Sequence, residues 1–322
     1  MNTIAKKTEL QNLVEGYRVQ RSAAGGTMRF LSLLRGISLT VAVGLTTLAF
    51  CLLSGCSRKN ATHEGALLCH VGGTMRPVFE VLSKMYEHET GQAVEINCAG
   101  SGELLANIEL QAEGDLYVSH DPFLDIIMHK KLALDGWTVA ELVPAIVVRK
   151  GNPKHIRVLR DLTRDDVQLA LTDYKLSTLG RMLPTIFGKA DIDLAELTRR
   201  KNIIIHRSGS YVANMVSMKN ADAAIVWTAV ASLRKADLDS IPITEHLPVP
   251  YLDAVTSATG KSYPLTPVRV TICTLKCSHR PESSRAFIDF VVSDRAREIF
   301  ENYGFGVSAG LRRCEYLNGK KG

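Results

Sequence analysis

Short apolar runs alternate with amphipathic stretches along most of the chain. Residues 66–71 form an apolar run that ends in Gly72-Gly73. After it, Val78, Phe79, Leu82, Met85 and Tyr86 recur at the spacing that lines one face of a helix. Pro77 suits the first turn of that helix, and Gly91 suits its C-terminal stop. The pattern then repeats. A strand at 93–97 runs into Gly100-Ser101-Gly102, and Leu104, Leu105 and Ile108 mark the following helix. A strand at 116–119 precedes Pro122 and a helix to about 130. Further strands are expected at 143–148, 169–172, 202–206, 223–227 and 268–274. Helices are expected at about 179–187, at 210–218, after 227, at 281–292 and at 294–303. This βαβα alternation predicts an α/β fold of mainly parallel sheets with helices on their faces. Residues 251–264 are the most loop-like stretch, and no internal repeat is present.

The first 55 residues follow a different pattern. Residues 36–53 are uncharged and apolar, with Arg29 and Arg35 before them and Ser54-Gly55-Cys56 after them. A basic start, an apolar stretch and small residues at the cut make a secretory signal. Leu53-Ser54-Gly55-Cys56 resembles a bacterial lipobox, which makes Cys56 the lipidated first residue of the mature chain. The rival is a membrane-spanning helix, since eighteen apolar residues just span a bilayer. The stretch ends at a cysteine and not in a basic stop, which favours the signal. Met28 opens a compact signal of its own and is the expected start of translation. Residues 56–64 then read as a polar tether.

Composition narrows the function. The net charge of +6 comes mostly from the leader: residues 1–55 hold six basic and two acidic side chains. The remaining 33 basic and 31 acidic residues leave +2, and no basic cluster with interleaved aromatics occurs, so nucleic acid is not an expected partner. Five cysteines remain after Cys56 (Cys69, Cys98, Cys273, Cys277 and Cys314), an odd number that leaves at least one thiol outside any internal pairing. Cys273, Cys277 and His279 lack a second ligand pair at zinc spacing, so no metal site is expected.

The chemistry is expected where strands end. Gly72-Gly73-Thr74 and Gly100-Ser101-Gly102 each join a strand to a helix. Helix N-termini present free N–H groups and partial positive charge, and glycines let a ligand approach the backbone. Two such corners on adjacent parallel strands open into one crevice and form a neutral, donor-rich cradle for an anion. The competing reading is plain capping, with Thr74 and Ser101 serving their own helices.

From residue 66 onward the chain resembles the periplasmic molybdate-binding proteins of the class II solute-binding fold. The resemblance is carried by residues 71–121, from VGGTMRP to GDLYVSHD, by Asp222-Ala-Ala-Ile-Val-Trp227, and by residues 296–305. It implies two α/β lobes joined by two hinge crossings, with lobe one at 65–143 plus 264–322 and lobe two at 144–263. It implies capture of molybdate or tungstate without a cofactor, delivery to an ABC permease and its ATPase, a monomer, and a lipid-anchored extracytoplasmic location. Carried over by position, hydroxyl ligands fall on Thr74 and Ser101. Backbone N–H donors fall near Leu179 and Ser210. A position usually held by tyrosine falls on Trp227, whose indole N–H can donate but not accept. Arg76 is a further candidate contact, and Lys175 and Arg207 are weaker ones. Asp173 could accept the proton of a monohydrogen phosphate, so sulfate and phosphate stand as alternative ligands. A sensor lipoprotein that keeps the fold without transport is a second alternative. A secreted hydrolase is the rival from another class, but Ala99-Gly100-Ser101-Gly102-Glu103 is not the G-x-S-x-G elbow.

Overall fold

The computed structural model describes residues 65–174, 177–248, 253–256, 262–264 and 268–307. Cys56, Lys175 and Cys314 lie outside the described residues.

Two five-stranded sheets organise the chain. The first contains β1 (Leu67–Gly72), β2 (Val94–Ala99), β3 (Leu116–His120) and β4 (Trp137–Leu142), with β12 (Val268–Thr274) inserted in the order β2-β1-β3-β12-β4. The second contains β5 (Pro144–Arg149), β6 (Leu169–Thr172), β7 (Ile203–His206), β8 (Ala223–Trp227) and β9 (Leu238–Pro242), in the order β7-β6-β8-β5-β9. The two orders correspond. Each sheet has three parallel strands, then one reversed strand, then a strand that runs with the first three. The reversed strand always lies next to the crossing from the other lobe. The sheets are therefore mainly parallel, with β5 and β12 as the exceptions. Within the loop-like stretch, β10 (Ala254–Thr256) and β11 (Ser262–Pro264) pair as a small antiparallel hairpin.

Helices cover both faces. The sequence of α1 (Arg76–Thr90) places Val78, Phe79, Leu82, Met85 and Tyr86 on its buried side. It stops at Gly91, whose φ of 74° suits a residue without a side chain and whose N–H bonds the Glu87 carbonyl at 2.8 Å. Phe79 meets Phe300 edge-on at 5.8 Å, and Tyr86 meets Phe287 at 5.1 Å. These contacts dock α1 against the last two helices, α8 (Pro281–Val291) and α9 (Asp294–Asn302). On the opposite face, α2 (Ser101–Gln111) and α3 (Phe123–His129) pack Leu104, Leu105, Ile108, Leu124 and Ile127 around Tyr117 and Leu275. In lobe two, α4 (Thr178–Lys189), α5 (Leu194–Leu197), α6 (Gly209–Ser217) and α7 (Thr228–Ser232) cover strands whose residues are nearly all buried. The two edge strands, β7 and β9, are the exceptions.

The pairing register brings particular ends of the sheets together. Leu142 at the end of β4 pairs with Val268, and His120 at the end of β3 pairs with Val270. Pro144 at the start of β5 pairs with Trp227 at the end of β8. Only Val143 separates β4 from β5. The chain thus leaves the carboxyl edge of one sheet and enters the carboxyl edge of the other within one residue. Residues 303–306 strap this junction. Gly306 exchanges backbone hydrogen bonds with Glu141, and the hydroxyls of Thr228 and Ser232 donate to the carbonyls of Gly304 and Tyr303.

Candidate functional site

In lobe one the first two corners touch. The Met75 N–H closes a tight turn onto the Gly72 carbonyl at 2.9 Å, and the Gly73 N–H donates to the Ala99 carbonyl at 3.0 Å. A side chain on Gly72 would meet the Ser101 Oγ at 2.5 Å and the Met75 methyl at 2.6 Å. The Ser101 hydroxyl therefore lies over a strand end that only glycine leaves open. Thr74 sits in the turn. The helix begins two residues later than the glycines suggest, with Met75 at the capping position. Neither α1 nor α2 has a side-chain cap at its start, so plain capping does not account for Thr74 and Ser101.

Tyr117 supports this corner from beneath. Its hydroxyl donates to the Ser101 carbonyl at 2.7 Å. Burial pushes its phenol far above the ordinary range, so it remains a donor. His120 ends β3 beside Phe123, and its Nδ1–H donates to the Asp121 carbonyl at 2.8 Å. Burial lowers its pKa and keeps the ring neutral. Asp121 is clamped by Arg269 through two guanidinium bonds, at 2.9 and 2.8 Å, and by the Arg269 N–H at 2.9 Å. That clamp ties the third corner to the strand that returns from lobe two. Arg76 pairs with Glu80 at 2.6 Å, one turn along its own helix.

In lobe two the corners carry caps. The Ser177 hydroxyl accepts from the Gly180 N–H at 2.8 Å and donates to the Asp173 carbonyl at 3.1 Å. A side chain on Gly180 would come within 2.0 Å of that carbonyl, so only glycine fits there. Leu179 is the second residue of α4, and its side chain is buried. Its N–H is among the first-turn groups without an intrahelical acceptor. Ser208 caps α6 through the Tyr211 N–H at 3.3 Å, and Ser210 is the exposed second residue of that helix. Between these helix starts lies Thr172, the last residue of β6. It is 3% exposed, and among the described residues its hydroxyl has no hydrogen-bond partner. His206 ends β7 with its Nδ1 accepting from the Ser208 N–H at 3.1 Å, and its ring stacks on Tyr211 at 3.9 Å. Trp227 is buried at the end of β8.

All six positions expected from the sequence (Thr74, Arg76, Ser101, Leu179, Ser210 and Trp227) thus stand at or just beyond a strand's carboxyl end. Thr74 lies in the Gly72–Met75 turn, which Ser101 approaches at Gly72, and Leu179 and Ser210 start two helices that flank Thr172. No residue pattern along the chain singles out Tyr117, Thr172 or the Asp121–Arg269 clamp. Among the described residues no group of three or more His, Cys, Asp or Glu is placed to hold a metal ion. Cys69, Cys98, Cys273 and Cys277 are free thiols, and burial pushes Cys69 and Cys273 far above the ordinary thiol range. No helix of the described residues is long and apolar enough to cross a membrane.

A family model described as bacterial extracellular solute-binding protein matches residues 67–306, which span both sheets and every corner described above. The chain belongs to this solute-binding family. A Bacillus subtilis relative named as an ABC transporter substrate-binding lipoprotein, YvgL, is 24% identical over 271 residues, covering 80% of this chain and 94% of its own. The periplasmic molybdate-binding protein of Azotobacter vinelandii superposes with a TM-score of 0.58 at 15% identity, over 76% of this chain and all of its own. The sulfate-binding protein SubI of Mycobacterium tuberculosis does so with a TM-score of 0.56 at 16% identity, over 74% and 86%. At such identities the superpositions establish the two-lobed fold. This solute-binding protein is accordingly an extracytoplasmic one.

Proposed function

We propose that this solute-binding protein captures a tetrahedral oxyanion, molybdate or tungstate, and delivers it to an ABC permease and its ATPase from a lipid anchor at Cys56. The observation that carries the anion is the Ser101 hydroxyl held over Gly72, beside two helix starts that no side chain caps. Free N–H groups and a hydroxyl there offer donors without a fixed positive charge, which suits an ion that only accepts. Leu179, Ser210 and Trp227 would supply donors from lobe two when the lobes close about Val143. The lipid anchor rests on the Leu53-Ser54-Gly55-Cys56 sequence and on the lipoprotein named among the relatives. Sulfate is the second reading. One of the superposed proteins is named for it, and sulfate shares the shape and charge of molybdate.

Thermal melting of the full chain against molybdate, tungstate, sulfate and phosphate separates these readings. A bound anion raises the midpoint by mass action. Tungstate and molybdate are expected to raise it at micromolar concentration and sulfate only at far higher concentration. The reverse order would reassign the ligand to sulfate, and no rise with any of the four would refute anion capture. Ser101→Ala is expected to weaken binding by about 1–3 kcal/mol, the worth of one hydrogen bond to a charged partner, with the unliganded midpoint nearly unchanged.

A further inference from the structure

The Thr172 hydroxyl is the one buried polar group at the carboxyl edges of the two sheets that lacks any partner among the described residues. A hydroxyl closed off from water and left unbonded costs about 1–3 kcal/mol. Two other hydroxyls share that state, Thr274 and Ser284. Thr274 pairs with Leu116, the first residue of β3, so it lies at the opposite edge of its sheet. Ser284 lies within α8, away from every corner. Only Thr172 stands where strands end and helices begin.

Its surroundings also resemble those of Ser101. In lobe one a glycine ends β1, and the hydroxyl comes from the helix that follows β2. In lobe two Thr172 ends β6, and a glycine opens the helix after β7. Thr172 pairs with His206 across β6 and β7, and a side chain on Gly209 would lie 4.0 Å from the Thr172 methyl. Each lobe thus sets a hydroxyl-bearing residue near a glycine, although in lobe two it is the methyl of Thr172 that faces the glycine. The glycine leaves the first turn of α6 open beside Thr172, and the N–H groups of Gly209 and Ser210 have no acceptor within their helix.

We propose that Thr172 is a direct ligand-binding residue whose hydroxyl donates to the captured anion, making it the lobe-two counterpart of Ser101. This rests on the reading of the protein as an anion-binding protein and adds a residue to its site. Ligand binding supplies the partner that the hydroxyl lacks without ligand, so the hydroxyl favours the closed, liganded state over the open one. A threonine hydroxyl can also accept, so the position tolerates a singly protonated anion as well as a fully ionised one.

The test is calorimetric titration of molybdate, sulfate and phosphate into the full chain as wild type, T172V, T172S and S101A. Valine keeps the shape and removes the hydroxyl. T172V is expected to bind the wild type's preferred anion at least about tenfold more weakly, and T172S within about threefold of wild type. The unliganded melting midpoint of T172V is expected to equal or exceed that of wild type, because an unsatisfied group has been removed. Wild-type affinity in T172V alongside weakened binding in S101A would overturn the role of Thr172 and leave anion capture standing. A T172V midpoint well below wild type, with affinity unchanged, would make Thr172 a structural residue. If wild type binds none of the three anions, anion capture falls, and the Thr172 inference falls with it.

Discussion

The helices after β1 and β2 in lobe one start without a side-chain cap, whereas Ser177 and Ser208 cap the helices after β6 and β7 in lobe two. Lobe one also closes its corner on side-chain atoms, the Ser101 hydroxyl and the Met75 methyl, while lobe two closes on backbone, the Asp173 carbonyl against Gly180. The contrast separates two tasks. Serine caps satisfy one first-turn N–H of α4 and of α6 and fix where those two helices begin. In lobe one no side chain caps the first turns of α1 and α2. Both lobes set a serine hydroxyl beside a glycine, Ser101 by Gly72 and Ser177 by Gly180, but only the second is spent on a cap.

Substitutions at the two glycines probe this contrast most directly. Gly180→Ala forces a methyl to within 2.0 Å of a carbonyl on the backbone, which cannot rotate away. It is expected to lower stability by about 3 kcal/mol and to detach the start of α4, as read by chemical denaturation. Gly72→Ala meets only the ends of flexible side chains. It is expected to cost about 1 kcal/mol of stability while displacing the Ser101 hydroxyl, so that affinity falls as far as in S101A. Undiminished affinity in G72A would mean that the lobe-one corner is not preformed. The smallest effect is expected from Arg76→Ala. The guanidinium is engaged by Glu80 on an exposed helix face, so its loss should change stability by about 0.3–0.5 kcal/mol, in a salt-dependent way. Anion affinity should stay within about twofold of wild type. A tenfold drop measured by titration would bring Arg76 into the site.

Much of this architecture is legible in the periodicity. The residues of α1 repeat at helical spacing between a first-turn proline and a left-handed glycine, and the structure has the helix there. The strands at 169–172, 223–227 and 268–274 occur as expected, because each is a compact apolar run bounded by turn residues. Other elements carry no such mark. β9 reads Leu-Asp-Ser-Ile-Pro, a polar sheet-edge strand whose pairing with β5 depends on tertiary position. β4 merges into β5 through one apolar residue, so the change of sheet at Val143 is hidden inside a continuous hydrophobic stretch. The reversed direction of β5 and β12 was also hidden. Alternation of strands and helices predicts parallel neighbours, and nothing local reports that a strand is delivered from the other lobe.

The site divides in the same way. Gly72-Gly73-Thr74 and Gly100-Ser101-Gly102 stand out in sequence because glycines beside hydroxyls at strand ends are a local signal. Thr172 does not stand out, since a threonine ending a strand resembles many others, and the missing partner exists only in three dimensions. The Asp121–Arg269 clamp joins positions 148 apart. Spacing along the chain cannot reveal a pairing over that distance.

The insertion of β12 between β3 and β4 also constrains how the chain folds. Strand β12 supplies the pairing edge for β3 and for β4, and Thr271 reaches Ser119, 152 positions away along the chain. Until the chain is available through residue 274, the first sheet is left as a three-stranded fragment with β4 unpaired. Closing so long a loop is entropically slow to reward. The first lobe to be synthesised is therefore the last to be finished.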